Sequence, residues 1–159
     1  MKIAVCSDLH LEFGPIKLKN PGDVEVLILS GDILVERDLD IFDRRQKDMG
    51  FMRRKSEQFH DFFENVCYEF PHVLYVMGNH EHYHGDFKHT ANELKRKLSY
   101  YNNLHVLDKE TFELNGVLFA KNPDYAGVGD YSGVVGYTGR LGIWYSTMLG
   151  VAIGKVVIY

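Results

Sequence analysis

Three short apolar runs mark the first half of the chain: Lys2-Ile3-Ala4-Val5-Cys6, Val24-Glu25-Val26-Leu27-Ile28-Leu29 and Val73-Leu74-Tyr75-Val76-Met77. Continuous runs of this length predict strands covered on both faces, as in a parallel sheet. Between the second and third runs, Phe59, Phe62, Phe63, Val66, Cys67 and Phe70 recur at intervals of three and four. That spacing predicts an amphipathic helix from Phe51 to Phe70, stopped by Pro71. Phe87, Ala91, Leu94 and Leu98 repeat it, with Lys88, Lys95, Arg96 and Lys97 toward water, and predict a second covering helix. Leu104 to Leu107 reads as a fourth strand. Thr111 to Leu114 and Val117 to Ala120 read as a hairpin, because Asn115-Gly116 suits the two positive-φ positions of a type I′ turn. Strands alternating with helices and ending in a hairpin predict an α/β fold with a mixed β-sheet core flanked by helices.

The remaining segments carry weaker signals. Pro15, Pro21 and Gly22 make residues 11 to 22 a loop. Residues 36 to 50 are densely charged, with Arg44, Arg45 and Lys47 close together; a solvated loop or helix face is expected, and contact with a substrate phosphate is the sharper alternative. His60 falls off the helical stripe and is expected at the surface, and His105 on a strand flank. Beyond Lys121 the composition changes: eight glycines lie between Gly127 and Gly154, and no acid follows Asp130. Glycine-rich backbone is entropically costly to order. Residues 1–120 are therefore expected to form the domain. Residues 121–159 are expected to form an atypical tail, foreign in origin to the domain, packed on it as a strand pair or disordered beside it. Arg140 and Lys155 bracket only fourteen residues, too short for a membrane span.

Composition narrows the function. At 159 residues, 18.3 kDa and 45% hydrophobic content, the chain has material for one core and one site. A formal charge of −4 and a pI near 6.0 argue against a nucleic-acid-coating protein, so phosphate recognition would need a metal or a few placed side chains. Cys6 and Cys67 lack zinc-knuckle or redox spacing and are expected as buried thiols in a reducing compartment. With a strand beginning at once and no leader pattern, a cytoplasmic location without membrane association is expected.

Each apolar run opens into metal-type ligands: Ser7-Asp8-Leu9-His10, Ser30-Gly31-Asp32 and Gly78-Asn79-His80-Glu81. Asp8 and His10 stand two apart, on one side of extended backbone. Gly31 permits a tight turn beneath Asp32. Asp8, His10, Asp32 and Asn79 offer oxygen and imidazole donors without thiolate, a set suited to Mn²⁺, Fe or Zn²⁺. If Asp32 lies between the other two strand ends, it can bridge two ions. Ions about 3.5–4 Å apart can hold a phosphate ester, acidify a shared water and stabilise an in-line displacement. His80, beside a ligand but free, would protonate the leaving alkoxide, and Glu81 would orient that imidazole or support the loop.

Asp8-x-His10, Gly31-Asp32 and Gly78-Asn79-His80-Glu81, in this order and each after an apolar strand, closely resemble the calcineurin-like metallophosphoesterases over about residues 1–120. Gly78 through Tyr83 is worded like small bacterial or phage members. The resemblance implies an αββα sandwich, here incomplete at its C-terminal side. It also implies that Asp8 and His10 bind a first metal, Asp32 bridges, Asn79 binds a second and His80 acts near the leaving group. The implied activity is hydrolysis of phosphomonoesters or phosphodiesters through two divalent ions, Mn²⁺ foremost. A phosphate-ester small molecule or nucleotide is the implied substrate, with nucleic acid a further candidate. Family members carry a further His and a Gly-His-x-His motif downstream, whereas no histidine follows His105 here. The second metal site is thus expected to be weak or empty unless His82, His84 or His89 stands in. A catalytically inert or impaired relative, acting as a metal-binding or scaffold protein, is the alternative.

Overall fold

Strands as apolar as these three runs are stable where both faces are covered. The computed structural model describes residues 1–40, 50–121, 134–138, 141–148 and 151–155. The runs form β1 (Ile3–Cys6), β2 (Val26–Ser30) and β3 (His72–Val76), joined by β4 (Leu104–Val106). All four are parallel, in the order β1-β2-β3-β4, with Ile3 opposite Val26 and Val26 opposite His72. Their side chains alternate between two cores. Leu27, Leu29, Val73 and Tyr75 enter one, and Val26, Ile28, Leu74 and Val76 enter the other. β2 and β3 are almost wholly buried, and β1, at the end of the strand order, is half-buried.

Two helices close the first core. α1 (Gly50–Glu69) contributes Phe59, Phe62, Phe63 and Val66, and α2 (Thr90–Leu98) contributes Ala91, Leu94 and Leu98. α2 begins later than the Phe87 periodicity suggests, because Phe87 lies outside it, 66% exposed, with its ring 4.3 Å from that of His82. The second core is closed by a hairpin of β5 (Thr111–Leu114) and β6 (Val117–Lys121), through Phe112, Leu114, Val117 and Phe119. Asn115 and Gly116 have φ of 52° and 76°, both positive as a type I′ turn requires. β7 (Val134–Thr138), β8 (Leu141–Met148) and β9 (Val151–Lys155) extend the hairpin antiparallel. The described part of the tail is thus three strands, one more than the expected pair. The layers are helices, parallel sheet and antiparallel sheet, so the mixed strand content is segregated into two sheets. A second helical layer is not among the described residues.

The acidic segment after β2 is not solvated as its composition suggested. Glu36 and Asp38 are buried in a 3-10 turn (Glu36–Leu39) because lysines from both helices neutralise that segment. Lys97 of α2 lies 2.5 Å from Glu36 and 2.8 Å from Asp40, and Lys55 of α1 pairs with Asp38. Arg44, Arg45 and Lys47 lie outside the described residues. His60 is half-buried rather than at the surface: its Nε2 is 3.3 Å from the Leu39 carbonyl, and Tyr101 donates to its main-chain oxygen at 3.1 Å. Burial pushes the Cys6 and Cys67 thiols up to about 12 and about 11. Among the described residues no helix is long and apolar enough to cross a membrane.

His105 on β4 packs its ring 4.4 Å from Phe112, between the sheets, and Phe112 also meets His72 at 5.7 Å. Burial, and secondarily His72, hold the His105 imidazole below its ordinary value of 6.5. The unfolded chain therefore takes up this proton more readily than the folded one, so stability falls as pH drops below 6.5 toward the folded value. The urea midpoint is expected to fall between about pH 7.5 and about pH 5.5, and to fall less in His105→Phe, which keeps the stacking without the titrating ring.

Candidate metal centre

Because β1 and β2 are parallel neighbours, the segments leaving their C-terminal ends run side by side. The main-chain N–H groups of Asp8, His10 and Leu11 donate to the carbonyls of Gly31, Asp32 and Ile33 at 3.0, 3.1 and 2.9 Å. This pairing aligns the two loops residue by residue. Asp8, His10 and Asp32 all adopt left-handed backbone, with φ of 55°, 45° and 55°. Such a conformation costs a non-glycine residue about 1–3 kcal/mol and persists only where its surroundings enforce it. Here it brings ligand atoms of all three side chains within 4.8 Å of one another.

β3 supplies the third side of the site. The His80 N–H donates to Asp32 Oδ1 at 2.9 Å. Gly78 passes so close to Asp32 that a Cβ there would stand 2.3 Å from Oδ1 and 2.8 Å from the main-chain nitrogen. The Asn79 carboxamide lies 3.0 and 3.1 Å from the two Asp32 oxygens. With its nitrogen toward Asp32, it donates to both and accepts from the Tyr83 hydroxyl at 3.0 Å. With its oxygen inward, three acceptors face one another, an arrangement that a cation resolves. Asp8 Oδ2 is likewise buried without a hydrogen-bond partner. An orphaned carboxylate oxygen beside an imidazole and a second carboxylate fits a divalent ion, and the donor set carries no thiolate to favour a softer one.

Glu81 is fully buried and its carboxylate accepts from four donors. Oε2 takes the Gly78 and Asp32 N–H groups at 2.7 and 3.1 Å; Oε1 takes the Ile33 N–H and the Tyr75 hydroxyl at 2.8 and 2.7 Å. Of the two roles expected for Glu81, these are the contacts of a loop support; its carboxylate is committed away from the His80 imidazole. Burial raises the Glu81 carboxyl above its ordinary range, against the opposing pull of the Ile33 and Tyr75 hydrogen bonds. Burial and the adjacent carboxylate push the Tyr75 hydroxyl up as well.

The carboxylate that meets His80 is that of Glu12, in a stretch whose prolines predict only a loop. Its Oε1 contacts His80 Nε2 and lies 3.2 Å from His10 Nδ1. Glu12 lies in a 3-10 turn (Leu11–Phe13) that follows left-handed His10, so the period-two alternation expected of extended backbone does not hold here and gives no signal for it. The His80 ring stands edge-on to His10, centroids 4.5 Å apart, and Tyr83 packs beside it at 4.6 Å. His82, His84 and His89 join no cluster of convergent ligand atoms among the described residues. His82 stacks on Phe87, His84 is exposed and His89 pairs with Asp86 at 3.5 Å.

A family model described as calcineurin-like phosphoesterase matches residues 1–143 of the chain. No curated protein and no solved structure matches it.

Two substitutions test the frame of this centre. Gly78→Ala is expected to cost about 1–3 kcal/mol by overpacking against Asp32, seen as a lower urea midpoint. Glu81→Gln turns one acceptor oxygen into a donor facing donors, and is expected to cost about 1–3 kcal/mol in the same measurement.

Proposed function

The chain belongs to the calcineurin-like phosphoesterase family, and on that footing we propose that it is a metal-dependent phosphoesterase acting where β1, β2 and β3 end. The reaction would be hydrolysis of a phosphomonoester or phosphodiester bond. The observation that carries this reading is the convergence of Asp8, His10 and Asp32 within 4.8 Å, beside an orphaned Asp8 oxygen. Asp8 and His10 would hold a first ion, Asp32 would bridge, and Asn79 would turn its amide oxygen to a second. Two divalent ions there, Mn²⁺ foremost with Fe or Zn²⁺ as alternatives, would supply Lewis acidity toward the phosphoryl group and an acidified water.

His80 would deliver a proton to the leaving alkoxide. Its ring is held between His10, Tyr83 and Glu12, which limits its freedom before a substrate arrives. Glu81 would act at one remove, by fixing the main chain that carries Asp32 and His80. A phosphate-ester small molecule or nucleotide suits the overall charge of −4 better than a long polyanion, and nucleic acid stays among the candidate substrates. The cytoplasm is proposed as the location, on the reading of Cys6 and Cys67 as free thiols of a reducing compartment.

One observation favours a second reading, an inert or impaired relative that keeps the fold as a metal-binding scaffold: no histidine follows His105 in the sequence. A second ion would then lean on Asp32, Asn79 and water alone.

The test is Mn²⁺-stimulated release of nitrophenol from bis-nitrophenyl phosphate, together with metal content. Two ions per chain are expected, with loss of turnover in Asp32→Ala and a fall in kcat of about 10²–10⁴-fold in His80→Ala. Fewer than one tightly held ion, and no rate above these variants with any divalent ion, would replace the enzyme reading with the scaffold.

A further inference from the structure

Beside the oxygen-rich group lies a second convergence of different chemistry. Ligand atoms of His10, Glu12 and His80 also fall within 4.8 Å of one another. Both rings address one oxygen: His10 Nδ1 lies 3.2 Å from Glu12 Oε1, and His80 Nε2 contacts the same atom. The other Glu12 oxygen is buried and has no hydrogen-bond partner. The three side chains are 31%, 11% and 17% exposed, sheltered yet reachable by an ion from solvent.

We propose that His10, Glu12 and His80 form a cation site of their own, selective for Zn²⁺ over Mn²⁺, alternative to the Asp8–Asp32 group. Two imidazoles and one carboxylate, with an open fourth position, make a zinc-type donor set, whereas oxygen-rich groups suit manganese. With ligand bonds of about 2.1 Å, neighbouring donors on a tetrahedral ion stand about 3.4 Å apart. His10 Nδ1 and Glu12 Oε1, at 3.2 Å, are already near that edge length. His80 Nε2, in contact with the same oxygen, would have to draw back to reach that spacing. Because His10 belongs to both groups, zinc held here withdraws that ring from Asp8 and Asp32 and occupies His80 at the same time. Zinc therefore antagonises whatever ion the oxygen-rich group holds. The site stands independently of whether the chain turns over a phosphoester.

The competing account is that Glu12 only orients two rings as an outer carboxylate, which would affect any ion bound through His10. The metal-free full-length chain separates the two accounts when titrated calorimetrically with Zn²⁺ alone and with Mn²⁺ alone, alongside Glu12→Gln and Asp32→Asn. Glu12→Gln is expected to weaken Zn²⁺ at least about tenfold with Mn²⁺ changed less than about threefold, and Asp32→Asn to show the reverse. X-ray absorption on the zinc-loaded parent needs no variant, and is expected to show two imidazoles on the ion, one fewer in His80→Gln. A single imidazole on zinc in the parent, an unchanged count in His80→Gln, or equal weakening of both ions by Glu12→Gln would overturn the site.

Discussion

The geometry of the candidate metal centre hangs on one buried carboxylate. Glu81 receives main-chain donors from the turn after β2 and from the turn after β3, and its fourth partner is the Tyr75 hydroxyl from inside β3. Away from water, each of those donors left empty would cost about 1–3 kcal/mol, so the two turns have little freedom to separate. The fixed Asp32 amide sustains a left-handed residue that would otherwise relax. The carbonyls of Gly31, Asp32 and Ile33 then hold the β1 loop, and with it Asp8 and His10. Gly78 completes the arrangement by leaving room for the Asp32 side chain. Glu81 thus shapes the centre through the main chain alone.

Much of this was legible in the sequence where a single physical rule governs the pattern. Burial on both faces favours strongly apolar runs, so β1, β2 and β3 could be read directly. The same holds for the stripe of α1 and for Asn115-Gly116. Illegible features depended on partners distant along the chain. Glu36 and Asp38 are acidic and look solvated until Lys97 and Lys55 arrive from the two helices. Phe87 keeps the helical period yet lies outside α2, because periodicity does not say where a helix starts. The inward aim of Glu81 follows from the 3-10 turn His80–His82, which no short-range pattern announces. Glu12 reaches the site from the 3-10 turn Leu11–Phe13, which the loop signals of Pro15, Pro21 and Gly22 do not announce.

Every candidate ligand and support described above lies between Asp8 and Tyr83. Among the described residues the candidate centre lies at three strand ends. Its oxygen-rich side, built on Asp8, Asp32 and Asn79, and its imidazole side, built on Glu12 and His80, meet at His10. On the proposal above, metal preference would depend on which side that single ring serves.

Parallel pairing also dictates when the centre can exist. During synthesis β1 emerges first, but its neighbour β2 cannot be locked beneath Asp32 until Glu81 has left the ribosome, so Asp8 and His10 wait as an unsupported loop. Loop closure over such sequence separations is slow, and local structure cannot hasten it. A nascent chain halted anywhere before β3 would hold Asp8, His10 and Asp32 without Glu81, the carboxylate that fixes the turn carrying Asp32.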